Sequence, residues 1–317
     1  MPRSAEATNL ETLTFIMSVA IQSSAAVLFA TIGEVFTERG GILNLGVAGM
    51  MLMGALSRFA TAYLTQSLAL GLLAAMAASG SLALIHGVFA ITLRANQVVC
   101  GLALAILGIG LSGFLGRPLI GKTAVRFSAW PVPILRDLPI LGTVCFNQVP
   151  VIYLGYVLVP AAWWFLFHTR PGLNLRSVGE NPAAADTAGI GVAATRYLWT
   201  VFGGMMAGLG GAYLSLAYTP AWKENMSAGQ GWIAIAMVIF ALWNPWRAAL
   251  GALLFGVVNA LQFTLEVRQI SLLPSYLLRT LPYLFTILIL VLITHSKGAR
   301  KWGGAPASLG IPFQREG

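Results

Sequence analysis

The feature that most constrains this chain is a succession of long apolar blocks divided by short polar stretches that hold most of its prolines. The blocks fall near 13–32, 43–63, 68–93, 97–116, 149–168, 198–218, 231–243, 248–265 and 281–294. A hydrocarbon core is crossed by about 20 apolar residues in helical form, so most of these blocks have the length of a membrane span. Composition agrees. Only 9% of the 317 residues are charged and 57% are hydrophobic, whereas a water-soluble domain carries roughly a quarter charged residues. Period-two alternation is missing, and only helices or closed barrels satisfy their backbone hydrogen bonds in lipid, which excludes a β-barrel. The expected fold is all-α: a polytopic transmembrane helical bundle of about nine spans, within a range of roughly 8–10. Residues 1–12 form an N-terminal segment, 13–296 a single transmembrane domain, and 297–317 a cytoplasmic tail.

The formal net charge of +9 does not indicate a nucleic-acid partner. The 19 Lys and Arg are scattered singly between apolar runs, with no basic stripe. Lys297, Arg300 and Lys301 cluster beyond the last block, as at a cytoplasmic helix end. With that end inside, four spans back place segment 169–197 inside as well. Arg170, Arg176, Arg196 and Arg247 agree with this, whereas Arg117, Lys122, Arg126 and Arg136 fall on the opposite side and weaken the bias. The first residues do not read as a signal peptide, and the chain is expected to be embedded in a membrane as a multi-pass protein. Cys100 and Cys145 are expected to be reduced and inert.

Two nucleotide-binding patterns are present in letters only. Gly116-Arg117-Pro118-Leu119-Ile120-Gly121-Lys122-Thr123 fits the phosphate-loop pattern, but it leaves an apolar span and is followed by prolines rather than a helix. Gly108, Gly110 and Gly113 match a dinucleotide fingerprint wholly inside a span and read as packing. His86, His168 and His295 lie far apart in no metal-ligand spacing, so neither a metal nor a cofactor is expected. Gly204, Gly208 and Ala212 recur at four-residue spacing, which lets helix backbones approach closely.

Segment 169–197 is the one connection with a readable fold. Asn181 suits a helix N-cap, Pro182 the first helical position, Ala183–Ala185 propagate the helix and Gly189 closes it. A helix of about two turns is unstable alone in water, so this one must be braced by its neighbours or by a partner.

Here a resemblance enters. Arg176-Ser177-Val178-Gly179-Glu180-Asn181-Pro182 with Ala188-Gly189-Ile190 resembles the cytoplasmic coupling loop of permease subunits of bacterial ABC importers. The superfamily is that of the branched-chain amino acid, ribose and simple-sugar permeases. Gly33-Glu34-Val35, then Glu38-Arg39-Gly40-Gly41-Ile42-Leu43-Asn44-Leu45-Gly46 and Gly49-Met50-Met51, resembles its N-terminal signature. Asn96-Gln97-Val98-Val99 with Gly101-Leu102-Ala103-Leu104, running to Ser112-Gly113, is similar to the nucleoside or simple-sugar branch. The likeness covers about 13–296. It departs at Ala48, where related sequences often carry an acid.

The resemblance implies a non-catalytic, pathway-forming subunit of the bacterial inner membrane. A second permease copy or paralogue, a cytoplasmic ABC ATPase and an extracytoplasmic solute-binding protein are its implied partners. Gly179, Glu180, Asn181, Pro182, Ala185, Asp186 and Gly189 would meet the ATPase. Polar residues at membrane depth are the candidate pathway liners: Asn44, Asn96, Gln97, Asn259 and Gln262. Glu34, Glu38 and Arg39 interrupt the first hairpin and are expected to be structural. Few ionisable groups lie within the spans, which favours a neutral cargo such as a nucleoside or simple sugar. The rival reading is an ion-coupled secondary transporter, which requires an intramembrane carboxylate or inverted repeats around broken helices.

Overall fold

The computed structural model describes residues 2–215, 221–267, 274–278, 280–295 and 304–315. Its helices are α1 (Pro2–Arg39), α2 (Val47–Thr65), α3 (Leu68–Gly87, continued by a wider turn over Val88–Thr92), α4 (Gln97–Gly116), α5 (Leu141–Cys145) and α6 (Pro150–His168). They continue as α7 (Arg170–Glu180), α8 (Pro182–Thr187), α9 (Val192–Tyr213), α10 (Gln230–Ala241), α11 (Pro245–Val267), α12 (Ser275–Leu278) and α13 (Leu281–His295). Two short strands, β1 (Trp130–Pro131) and β2 (Asn147–Gln148), pair antiparallel in the 117–149 connection. The protein is thus an all-α polytopic bundle. Among the described residues, six helices are long and apolar enough to span: Thr12–Arg39, Val47–Thr65, Leu68–Thr92, Gln97–Leu119, Pro150–His168 and Pro245–Glu266. The blocks at 198–218, 231–243 and 281–294 correspond to α9, α10 and α13, which are not among those six.

Glycine sets how closely the central helices approach. A Cβ at Gly208 would lie 2.5 Å from Ser79 Oγ, and one at Gly54 would lie 2.6 Å from Gly208 Cα. α9 is therefore wedged against α2 and α3 at a spacing that no side chain permits. Ser79 uses the closeness by donating its hydroxyl to Met50 O at 2.7 Å. The core around it is apolar, with Phe29, Met50, Met51, Ala83, Ala207 and Ala234 buried together.

α1 and α9 run antiparallel, since Gly33 meets Gly203 while Ala26 meets Gly210. Each also packs on the other's neighbours: α1 on α10 and α11, α9 on α2 and α3. The packing of α1–α3 and α9–α11 is therefore reciprocal. Where the triplets cross, the N-termini of α2 and α10 abut inside the bundle. A Cβ on Gly231 would lie 2.4 Å from Ala48 Cα. Ala48, where the sequence departs from the pattern of the family it resembles, is therefore buried at the junction of two helix starts. α10 has 12 residues, which at about 1.5 Å per residue crosses only about half of a hydrocarbon core.

Three expectations are corrected. The first span does not stop near residue 32: α1 runs unbroken to Arg39, so Glu34, Glu38 and Arg39 belong to the helix rather than interrupting a hairpin. Glu34 and Glu38 are both buried, and Glu38 is held there by Trp243, whose Nε1 donates to Glu38 Oε2 at 2.6 Å. Acids within the spans are thus present. By sequence Trp222, Trp232, Trp243 and Trp246 suit the headgroup level, where amphipathic rings are favoured; Trp222 and Trp243 are instead buried in protein, and Trp232 and Trp246 are exposed.

Candidate functional site

Two places in the bundle gather the chemistry that the sequence singled out. The first is a cavity of about 460 Å³. Phe255, Asn259, Gln262 and Glu266 line it from α11, at spacings that place all four on one helical face. Lys223, Asn225 and Gln230 face them from the 221–230 segment, and Pro282 and Tyr283 come from the start of α13. Gln262 Nε2 donates to Glu266 Oε1 at 3.4 Å, and the Tyr283 hydroxyl donates to Ala228 O. The lining mixes amide, carboxylate, ammonium and phenol groups with Phe255, Leu214 and Met226. Such a wall can hydrogen-bond a polar solute and present it an apolar flank.

Sequence reasoning found Asn259 and Gln262 but missed Glu266, Gln230, Asn225, Lys223 and Tyr283. The signal available was the 255/259/262/266 spacing, which continues the Asn259 face outward.

The other three polar candidates sit elsewhere, bonded to the 40–46 connector or the start of α4, although the buried Nε2 of Gln97 has no hydrogen-bond partner among the described residues. Asn96 is the N-cap of α4, its side chain accepting from Val98 N and Val99 N at 3.0 and 3.1 Å. Gln97 is buried, and its Oε1 accepts from Leu43 N at 2.7 Å. Asn44 Oδ1 accepts from Gly46 N at 3.0 Å. Buried His86 joins the same connector, its Nε2 bonded to Leu43 O at 3.1 Å. The 40–46 segment leaves the helical ladder inside the bundle, so its backbone groups need these side chains.

The second place is the α7–α8 elbow. Asn181 Oδ1 accepts from Ala184 N at 3.0 Å, which caps α8. Gly189 takes φ +81°, and Ile190 N closes back on Ala185 O at 3.0 Å. Pro182 opens the helix, and Ala185 is its buried anchor against Val178 and Val192. Glu180, Asn181, Ala183, Ala184, Thr187, Ala188 and Gly189 are exposed, and Ser177, Glu180, Asn181, Ala184, Ala185, Ala188 and Ile190 line a shallow depression of about 320 Å³. Gly179 is buried where a Cβ would lie 2.0 Å from Arg39 O, so the elbow rests on the end of α1. Asp186 is partly buried and pairs with Arg315 at 2.9 Å.

Helix α7 was not anticipated. Its marks were Thr169, whose Oγ1 accepts from Gly172 N at 3.2 Å as an N-cap, and Pro171 in the first turn. Leu175, Val178 and Gly179 form its buried face.

The Gly116–Thr123 pattern follows helix α4, and Gly116 packs against the indole of Trp222. It does not join a strand to a helix. Among the described residues no cluster of His, Cys, Asp and Glu is arranged to hold a metal ion.

The profile of the family described as "Branched-chain amino acid transport system / permease component" matches residues 15–294. The chain is 38% identical to a putative glucose ABC transporter permease protein of Haloferax volcanii, over 87% of this chain and 90% of that one. It is 36% identical to a nucleoside ABC transporter permease protein of Lactococcus lactis, over 93% of this chain and 97% of that one. It is 34% identical to a guanosine ABC transporter permease protein of Bacillus subtilis, over 94% and 97%. No solved structure matches it.

Proposed function

Because the chain belongs to the family of branched-chain amino acid transport system permease components, we propose that it forms the translocation pathway of an ABC importer for a nucleoside or a simple sugar. It is a multi-pass inner-membrane protein and a transporter subunit rather than an enzyme. The observation that carries the cargo class is the similarity to glucose, nucleoside and guanosine permeases over nearly the whole chain. The α11 cavity supports it, because the amide groups of Asn259 and Gln262 can hydrogen-bond the hydroxyls of a neutral sugar or ribose.

In this reading the nine apolar blocks all lie in the membrane, with α9, α10 and α13 completing the spans. The chain has no ATPase site of its own. A cytoplasmic ABC ATPase seats the exposed surface of α8 and its flanks, Glu180 to Gly189, in a groove, while Gly179 and Ala185, both buried, brace the elbow from within rather than meeting the partner. An extracytoplasmic binding protein delivers solute, and a second permease subunit pairs with this one. Closure of the ATPases would pull on the elbow and rock the attached helices about the α2–α10 junction, giving alternating access. Asn259 and Gln262 contact solute, whereas Asn44, Asn96 and Gln97 hold the connector and the start of α4.

The ion-coupled alternative has one of its requirements met, the buried Glu34 and Glu38. This feature does not separate the classes, and family membership favours the ABC reading. The test is to replace exposed Ala184 with Trp, and Gly189 with Leu, in the importer expressed with its ATPase and binding protein. Loss of solute uptake, with the permease still in the membrane, is expected. Undiminished uptake in both variants would refute the docking assignment.

A further inference from the structure

Residues 304–315 return to the bundle and lock onto the same elbow. Ser308 N donates to Gly179 O at 2.9 Å, and Ser308 Oγ approaches the same carbonyl at 2.7 Å. Gly310 N donates to Gly41 O at 3.1 Å, just beyond the end of α1. Phe313 packs on Val178, Ala185 and Val192, one residue each from α7, α8 and α9. Arg315 pairs with Asp186 at 2.9 Å, an exposed contact that adds little by itself.

Arg196 organises the joint. It is 2% exposed, and its charge is met by neutral oxygens: Nε donates to Gly40 O at 3.1 Å, Nη2 to Ser308 Oγ at 3.1 Å and Nη1 to Ile311 O at 3.3 Å. A buried guanidinium is tolerated only when its donors are satisfied. Two of these three acceptors belong to the tail, so the tail is part of the folded bundle rather than a loose extension. The backbone is shaped to admit it. Gly41 sits at φ +85°, and a Cβ there would lie 2.5 Å from Ser308 Oγ and 2.9 Å from Arg196 Nη2.

We infer that segment 304–315 is a positioning element of the coupling machinery, a clasp that fastens α7 and α8 to the end of α1 and the start of α9. α8 is only six residues long and cannot hold itself rigid. With the clasp in place, a pull on its exposed surface moves α1 and α9, the central pair of the bundle. Without it, α8 yields locally and the pull dissipates. The inference rests on the proposal that an ATPase grips the exposed surface between Glu180 and Gly189. It adds that the chain's own C-terminal segment sets how stiffly that grip is transmitted.

The experiment compares the full importer, permease with its ATPase and binding protein, in proteoliposomes carrying wild-type permease, a variant ending at residue 303, Phe313→Asp or Phe313→Leu. Co-purified ATPase, ATP hydrolysis and uptake of radiolabelled guanosine and glucose are measured. The truncated and Phe313→Asp permeases are expected to keep the ATPase bound and hydrolysing. Their solute moved per ATP should fall about tenfold, through maximal rate with KM unchanged, and Phe313→Leu should restore it. Wild-type coupling in both the truncated and Phe313→Asp importers would overturn the inference while leaving the proposed function intact. Failure of the wild-type permease to bind an ATPase would overturn both.

Discussion

Trp243 Nε1 donates a 2.6 Å hydrogen bond to Glu38 Oε2 across 205 residues of sequence, inside the protein. On the other side of the same residue, Arg39 Nε and Nη2 donate to Trp243 O at 3.3 and 3.2 Å. These three bonds tie the end of α1 to the turn between α10 and α11. They join the two halves of the chain at the end where the α7–α8 elbow sits.

Replacing Trp243 with Phe keeps most of the apolar contact and removes the indole donor. A buried carboxyl oxygen then loses its partner, at a cost of about 1–3 kcal/mol. Thermal unfolding of the purified permease in detergent should shift downward for Trp243→Phe, and Glu38→Gln, which keeps an acceptor oxygen, should shift less. Equal stability of Trp243→Phe and wild type would show that the bond contributes nothing.

Gly208→Leu places a side chain where Ser79 Oγ and Ala75 O already stand. Overpacking a tight core costs about 1–3 kcal/mol, and more where backbone meets backbone. The variant should be poorly expressed and aggregate on size-exclusion chromatography. Gly110→Leu, in α4 with nothing within 4 Å of its Cβ position, should behave as wild type in the same assay.

Most of the bundle is legible in the sequence because a bilayer leaves few choices: apolar length sets where helices lie, and every block has a helix. The Asn181–Gly189 helix is legible for a local reason, a capping side chain at one end and a left-handed glycine at the other. What the sequence conceals is long-range. Glu38 looks like a break in a hairpin until Trp243 supplies its donor, and the reciprocal packing of α1–α3 with α9–α11 leaves no obvious repeat in the letters. The return of 304–315 is hidden for the same reason. Its partners, Gly41, Gly179 and Arg196, look like ordinary loop and interface residues, and only the folded chain brings them together. In the cavity, Asn259 and Gln262 stand out as polar residues in an apolar block, whereas Lys223 and Asn225 read as connecting chain.

Within the proposed pathway, Asn259→Leu and Gln262→Leu each remove a hydrogen-bonding group from the cavity wall. Each should raise KM for guanosine or glucose uptake by about tenfold, equivalent to about 1.4 kcal/mol. Asn96→Ala removes the cap of α4 and should cost about 1 kcal/mol of stability with KM unchanged. The reverse pattern would move the pathway from the α11 cavity to the start of α4.

The central claim is that this bundle moves solute only when an outside motor pulls on it. The direct measurement is uptake and ATP hydrolysis in proteoliposomes containing the purified permease alone, compared with vesicles that also hold its ATPase and binding protein. Accumulation of solute that requires ATP and all three components, with neither activity from the permease alone, is the predicted result. Uphill accumulation by the permease alone, driven by a proton or sodium gradient, would contradict the account.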